Sequence, residues 1–378
     1  MPQIKILLNA IVRDEEENMG QCFASVANII DGYAISDTGS KDNTIGKIRE
    51  IAEKRNLPGE VISEEWKNFG YNRTVAIKLA EEVAKKLDSS AVWYILFMDA
   101  DNRAHSYDGK MGHFELDKQS LTLDSYDVEM RSGGTAYHFI WLCRLDAKKK
   151  FKWVGRRHEV CQPDGQWPCK SEMLKGGYVV SGRNGFRKKN PYTYAEDLCE
   201  FLKDLKDDPK NDRAMFYAAQ SARDTGFPDV AKQYYKRRAA MGGWQEEVYE
   251  SLLWLARSKM EKNADDPKCW KLFMDAINAS PSRYEAPYYL VKMCRDKKAW
   301  NLGWNIAQAA LSRPSPVRPL FLDKSIQEYK FFDEASLVAF YAGDKKKYIE
   351  LANKALAAPT IDTTTRQRVE ANLKQFGG

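Results

Sequence analysis

Through roughly the first 185 residues, short apolar runs alternate with stretches whose apolar positions recur every three or four residues. Residues 4–12 read as a buried strand and 18–30 as the helix after it. A second strand is predicted at 33–36 with a helix at 44–55. A short third strand follows at 61–63, with a long amphipathic helix at 72–87. Residues 92–98, Val-Trp-Tyr-Ile-Leu-Phe-Met, are wholly apolar and stop at Asp99-Ala100-Asp101. Strand–helix alternation of this kind implies an α/β fold with a doubly wound, mostly parallel sheet. Ligands of such sheets bind beyond the carboxyl ends of the strands, which directs attention to the residues just after Ile35 and Met98.

From about Pro191 the strand pattern vanishes, and amphipathic helices of about 12 to 18 residues follow, separated by Gly, Pro and Asp. Three helix ends rhyme: Ala276-Ile-Asn-Ala-Ser-Pro281, Ala309-Ala-Leu-Ser-Arg-Pro314 and Ala355-Leu-Ala-Ala-Pro359. Pro281 and Pro314 are 33 residues apart, close to the period of about 34 residues in tetratricopeptide repeats. The 45 residues between Pro314 and Pro359 break that period, so an irregular array is expected. Aromatic pairs such as Tyr288-Tyr289 and Trp300 with Trp304 read as packing between helices. The predicted layout is an α/β domain over residues 1–190 and an all-α, tetratricopeptide-like domain over 191–378. The boundary falls in the basic, glycine-containing segment 181–191.

Composition narrows the class. With 378 residues, 43% hydrophobic and 30% charged, the chain can bury large cores without disulfides, and disorder is excluded. No run approaches the roughly 20 apolar residues of a membrane span, so no transmembrane segment is expected. The N-terminus lacks the grammar of a signal peptide, and a cytoplasmic protein is expected. The net charge of +6 is weak evidence for a polyanionic partner. No RNA-binding motif supports it, so nucleic acid is not the expected partner. Seven Cys, odd in number and without C-x-x-C spacing, read as ordinary thiols.

Two segments carry chemistry. In Asp99-Ala100-Asp101, two carboxylates close a buried strand, a costly placement without a cation or other partner. Their oxygens suit Mg²⁺ or Mn²⁺ shared with phosphate; the alternative is a turn or helix cap. The second segment, Ile35-Ser-Asp-Thr-Gly-Ser-Lys-Asp-Asn-Thr44, also follows a strand. Asp37 could accept hydrogen bonds from a nucleotide base or ribose, Gly39 allows the turn, and Ser40 or Asp42 can cap the next helix.

Five ordered motifs together resemble the family 2 glycosyltransferases of GT-A fold. Asn9-Ala-Ile-Val-Arg-Asp-Glu-Glu-Glu-Asn18 resembles their opening strand and acidic turn, and Ser36-Asp-Thr-Gly-Ser-Lys-Asp-Asn-Thr44 their nucleotide segment. Phe69-Gly-Tyr-Asn-Arg-Thr74, Phe97-Met-Asp-Ala-Asp-Asn102 and Arg144…Phe151-Lys-Trp-Val-Gly-Arg-Arg-His-Glu159 resemble F-x-x-A-R-N, the metal motif and R…F-x-G-x-V-H-E of one subgroup. That subgroup includes lipopolysaccharide-core glucosyltransferases and glycocin S-glycosyltransferases, and often carries tetratricopeptide-like helices behind the transferase domain.

The resemblance implies an inverting, hexosyltransferase-like enzyme that moves a sugar from a nucleoside diphosphate sugar, UDP-linked as the expected donor, to a glycan, a protein or peptide, or another acceptor. It implies donor contacts at Asn9, Arg13, Glu15, Asp37, Arg73 and Asp99. Mn²⁺ or Mg²⁺ would be held by Asp99 and Asp101 with His158, and Glu159 would be the general base. The alternative is that His158-Glu159 merely orders a loop. The family's A-R-N reads Asn72-Arg73-Thr74 here, so only Arg73 carries over, and Arg156-Arg157 precede the His where one small or apolar residue is usual. The cluster Lys148, Lys149, Lys150, Lys152, Arg156 and Arg157 reads either as a solvated face or as a contact for an anionic acceptor. A competing class is an inactive, transferase-like repeat scaffold for protein partners. Sugar-nucleotide pyrophosphorylases are disfavoured, because Arg13-Asp14-Glu15-Glu16-Glu17 stands where their glycine-rich loop belongs. The helical half is expected to recognise the acceptor or to form a homodimer.

Overall fold

The computed structural model describes residues 2–147, 150–164, 170–182, 185 and 190–376. Lys148 and Lys149 of the basic cluster, Cys169, and residues 183–184 and 186–189 of the expected boundary lie outside the described residues. Two compact units emerge: Met1–Ser132 with His138–Phe201, and Gly133–Tyr137 with Leu202–Gly378.

The first unit opens with four parallel strands and three helices: β1 (Ile4–Val12), α1 (Glu16–Val26), β2 (Gly32–Asp37), α2 (Thr44–Lys54), β3 (Gly59–Ser63), α3 (Phe69–Leu87) and β4 (Val92–Phe97). β1 and β4 read as apolar runs because strands of a parallel sheet are covered on both faces. Leu7, Ala34, Ile95 and Phe97 join Ile77, Ala80 and Val83 of α3 in one core. α1 stops at Val26, earlier than its hydrophobicity suggests, because Ile29 and Ile30 bury in the turn that leads to β2. Beyond β4 come β5 (Arg103–His105), β6 (Ser125–Ser132), β7 (Thr135–Arg144), β8 (Phe151–Val154), β9 (Val160–Pro163) and β10 (Ser171–Val180). The sheet order is β3-β2-β1-β4-β7-β6-β10-β5, and β8 and β9 form a separate antiparallel pair. This parallel-rich sheet is GT-A-like. The carboxyl ends of β1, β2 and β4 stand side by side, with Val12 opposite Asp37 and Asn9 opposite Phe97.

The division between units falls within α4 (Thr193–Asp207). Asp197 and Phe201 are almost fully buried, and both pack on residues of the first unit.

The second unit is helical: α5 (Asp212–Asp224), α6 (Pro228–Met241), α7 (Gln245–Lys262), α8 (Pro267–Ala279), α9 (Glu285–Asp296), α10 (Trp300–Leu311), α11 (Phe331–Tyr341), α12 (Lys345–Leu356) and α13 (Thr363–Phe376). Pro228 and Pro267 start helices, where a missing N–H costs nothing. The broken period after Pro314 has a cause. Between α10 and α11 the chain inserts a loop, a short strand β11 (Leu322–Asp323) and a wide helical turn at Ile326–Lys330. Tyr288, Tyr289 and Trp300 pack against the helical core, as their spacing implied. None of the described helices is long and apolar enough to cross a membrane. The described cysteines are free, five of them buried.

Candidate functional site

Two loops at the ends of β1 and β2 are laced together by hydrogen bonds. Asp14 adopts φ 51°, and its Oδ1 accepts from the amides of Lys41 at 2.6 Å and Asp42 at 3.3 Å. The Asp14 amide donates to Ser40 Oγ at 2.9 Å, the Glu15 amide to Thr44 Oγ1 at 2.8 Å, and the Glu16 amide to Asp42 Oδ2 at 3.1 Å. Asp42 also accepts from Thr44 at the start of α2. Asp37 is only 2% exposed, and its carboxylate accepts from the amides of Gly39 and Ser40 and from the Ser40 hydroxyl. It shapes its own loop, with Gly39 at φ 102° providing the turn. Asn9 is equally internal: its amide donates to the carbonyls of Ala34 at 2.9 Å and Ala76 at 2.8 Å, tying β1 to β2 and α3. Arg13 stands half-buried just past β1.

The end of β4 is different, because one of its carboxylates reaches solvent. The Asp99 side chain is 48% exposed, and its Oδ1 accepts from Arg73 Nη2 at 2.5 Å. Arg73 Nε donates to Glu159 Oε1, also at 2.5 Å, and the guanidinium lies 5.0 Å from the Trp153 ring centroid. Burial pulls the guanidinium pKa down, but Asp99 and then Glu159 outweigh it and raise the value. Asp101 Oδ2 accepts from the Gly185 amide at 3.3 Å. A Cβ on Gly185 would sit 2.9 Å from Asp101 Oδ2 and 3.4 Å from Glu15 Oε1, so these two acids converge. Arg103 props the turn, donating to the carbonyls of Ala100 and Asn102 at 2.7 Å each. The Cys22 thiol beneath is pushed up to about 12, first by burial and, against the pull of Arg103, by the charges of Asp99, Asp101 and Glu15.

Glu159 comes from the turn between β8 and β9, and α3 braces that turn. The amides of Phe69 and Gly70 donate to the carbonyls of Arg156 at 3.3 Å and Gly155 at 3.2 Å. A side chain at position 70 would come within 2.5 Å of the Gly155 carbonyl oxygen, so only glycine fits. His158 adopts φ 45° and stacks on Phe201 at 5.8 Å, with Nε2 3.8 Å from Asp197 Oδ2. Arg157 Nε lies 3.4 Å from Asp197 Oδ1.

Asp99, Arg73 and Glu159 therefore meet, while Asp101 and Glu15 both approach Gly185. His158 lies instead against Asp197 and Phe201. Among the described residues no three His, Cys, Asp or Glu side chains form a metal-type group. In the basic cluster, Lys150 pairs with Glu81 and Lys152 with Asp164. Asp14, Arg103, Trp153 and Asp197 escaped the sequence reading. Asp14 was signalled only as one member of an acidic run, and Asp197 looks like any polar residue of an amphipathic helix.

These features define an α/β, GT-A-like unit with an arginine-bridged carboxylate pair at its strand ends. Residues 10–108 match the sequence profile of the family described as glycosyl transferase family 2, which supports a glycosyltransferase. No curated protein matches the chain. Similar solved structures include a thermophilic TPR protein of Thermus thermophilus (15% identity, 48% of this chain and 91% of that one, TM-score 0.30). Others are YrrB, titled a TPR protein with an unusual peptide-binding site (13%, 47% and 84%, 0.33), and a MamA fragment from Desulfovibrio magneticus (15%, 43% and 85%, 0.32).

Proposed function

We propose that the first unit is an inverting glycosyltransferase that uses a nucleoside diphosphate sugar. The observation that carries this reading is the bridge from Asp99 through Arg73 to Glu159 at the carboxyl end of β4, with Arg73 and Asp99 inside the family 2 match and Glu159 outside it. Displacing a nucleoside diphosphate from an anomeric carbon leaves negative charge on the departing group. Arg73 carries a permanent cation among the strand ends and can donate to a phosphate oxygen in place of Asp99, whose side chain is half exposed. Glu159, held beside Arg73, takes the proton of the acceptor nucleophile. One direct displacement is implied, with no sugar–enzyme intermediate.

The hard oxygens of Asp99 and Asp101 fit Mg²⁺ or Mn²⁺, and a site with few protein ligands suits an ion that also takes phosphate and water oxygens. Such an ion would neutralise the leaving diphosphate. The loop built around Asp37 stands at the carboxyl end of β2, and its backbone and Ser40 are the groups it offers to a base or ribose. The tetratricopeptide-like unit is assigned to recognition of a glycan or peptide acceptor or to self-association. Incubating the protein with UDP-, GDP- and dTDP-sugars in Mn²⁺ and following release of the nucleoside diphosphate tests the reading. Metal-dependent turnover of one donor is expected, and no turnover or binding of any donor contradicts it.

A further inference from the structure

We propose that Asp197, on α4, is a positioning residue for the turn that carries His158 and Glu159. The inference rests on the proposed transferase reading for its kinetic consequence, though the geometry stands alone.

The turn between β8 and β9 spans residues 155–159 and holds a non-glycine residue, His158, at φ 45°. A side chain is strained there, and such a conformation persists only where surrounding contacts impose it. Two sets of contacts do so. On one side, the first amides of α3 hold the carbonyls of Gly155 and Arg156. On the other, Asp197, 1% exposed, places one carboxylate oxygen 3.4 Å from Arg157 Nε and the other 3.8 Å from His158 Nε2. One turn further along α4, Phe201 lies against the His158 ring, 22° from parallel. Arg157 is held from its other face as well, 5.3 Å over the ring of Phe69.

A buried carboxylate is costly unless paired, and this one is spent on two consecutive residues of a strained turn. The next residue is Glu159, whose carboxylate meets Arg73 and, through it, Asp99. α4 thus sets the direction in which Glu159 leaves the turn, acting through Arg157 and His158 and without touching substrate. Misplacing a reacting group by about 1 Å can cost on the order of a hundredfold in rate.

The test compares full-length wild type with Asp197→Ala, Asp197→Asn and Phe201→Leu. Hydrogen exchange of the amides of 155–160 is the first readout. They should exchange faster in Asp197→Ala, with Asp197→Asn, which keeps an oxygen for Arg157, in between. Steady-state release of nucleoside diphosphate from whichever of the UDP-, GDP- and dTDP-sugars wild type turns over in Mn²⁺ is the second readout. Asp197→Ala should lower kcat roughly tenfold to a hundredfold while donor KM stays within about twofold, and Phe201→Leu, which shortens a buried ring and lowers the melting temperature, should lower kcat less. Wild-type exchange in the turn, or unchanged kcat in Asp197→Ala, overturns the proposal. If Asp197→Ala does not fold, the Asn and Leu variants decide by the same two readouts. If wild type transfers no sugar at all, the transferase reading fails while exchange still settles the positioning role.

Discussion

Arg73 in the first unit and Arg283 in the second solve the same electrostatic problem to different ends. Arg283 is fully buried and pairs with Glu246, Glu250 and Glu285 at 2.9, 2.7 and 2.6 Å, with the Tyr249 ring 4.2 Å away. Its remaining donor capacity goes to the Leu320 carbonyl. Nearby, Arg238 is sealed against Glu247 between α6 and α7. The Arg283 network joins helices through acids that are 2–17% exposed, whereas Arg238 also pairs with Asp212, whose side chain is 45% exposed. Arg73 also bridges two carboxylates, but Asp99 is half exposed and stands past a strand end. A buried arginine with acids around it is therefore no sign of a site by itself. The sign is a reachable acid that stands past the carboxyl end of a parallel strand, where ligands of such sheets bind.

The sharpest way to break this comparison is to delete the strand-end acids. Asp99→Ala and Asp101→Ala should each lower transfer by about three powers of ten, a transition-state loss of several kcal/mol, while circular dichroism stays that of wild type. Removing the sealed cation should do the reverse. Arg283→Met leaves three carboxylates facing each other, and breaking a buried pair costs about 3–5 kcal/mol. Urea unfolding followed by helical ellipticity should show that loss.

Glu159→Gln sharpens the picture within the first unit. The amide keeps shape and a hydrogen bond toward Arg73 but cannot take a proton, so transfer should fall by about a hundredfold with donor binding retained. A fall under tenfold would place the base elsewhere.

The smallest effect concerns pH. Burial, against the pull of Arg283 and with Glu285 and Glu246 adding to it, pushes Glu250 up to about 7 from its ordinary 4.5. Burial does the same to Glu334 on α11. Both groups bind protons more tightly folded than unfolded, so between about pH 4.5 and 7 the folded state carries the extra protons. Their contribution therefore favours the fold below about 4.5 and is lost as pH rises through 7. Glu250→Gln should flatten the fall in stability between pH 5 and 8, measured by urea midpoints. An unchanged slope would show that Glu250 is ionised throughout.

Legibility followed burial pattern. β1, β2 and β4 announced themselves because both faces are covered, and the acids at the ends of β2 and β4 stood out against apolar runs. β5 to β10 did not: Ser125-Tyr-Asp-Val-Glu-Met-Arg-Ser132 mixes polar and apolar residues, and its pairing partner β10 lies some forty residues away. Motif resemblance brought Arg73, Asp99 and Glu159 onto one page, but contact between them depends on how the β8–β9 turn seats on α3. Asp37 looked like a nucleotide contact because it ends a strand, and its carboxylate is taken up by the loop it begins. Asp197 was invisible because one acid in an amphipathic helix carries no periodic signal.

The most direct measurement of the central claim is the melting temperature of wild type with UDP-, GDP- and dTDP-sugars, in Mn²⁺ and in EDTA. One donor in Mn²⁺, at about 100 times its dissociation constant, should stabilise the fold by about 2.7 kcal/mol, and EDTA should remove the shift. If none of the donors moves the transition in either buffer, Asp99, Arg73 and Glu159 do not form a sugar-nucleotide site.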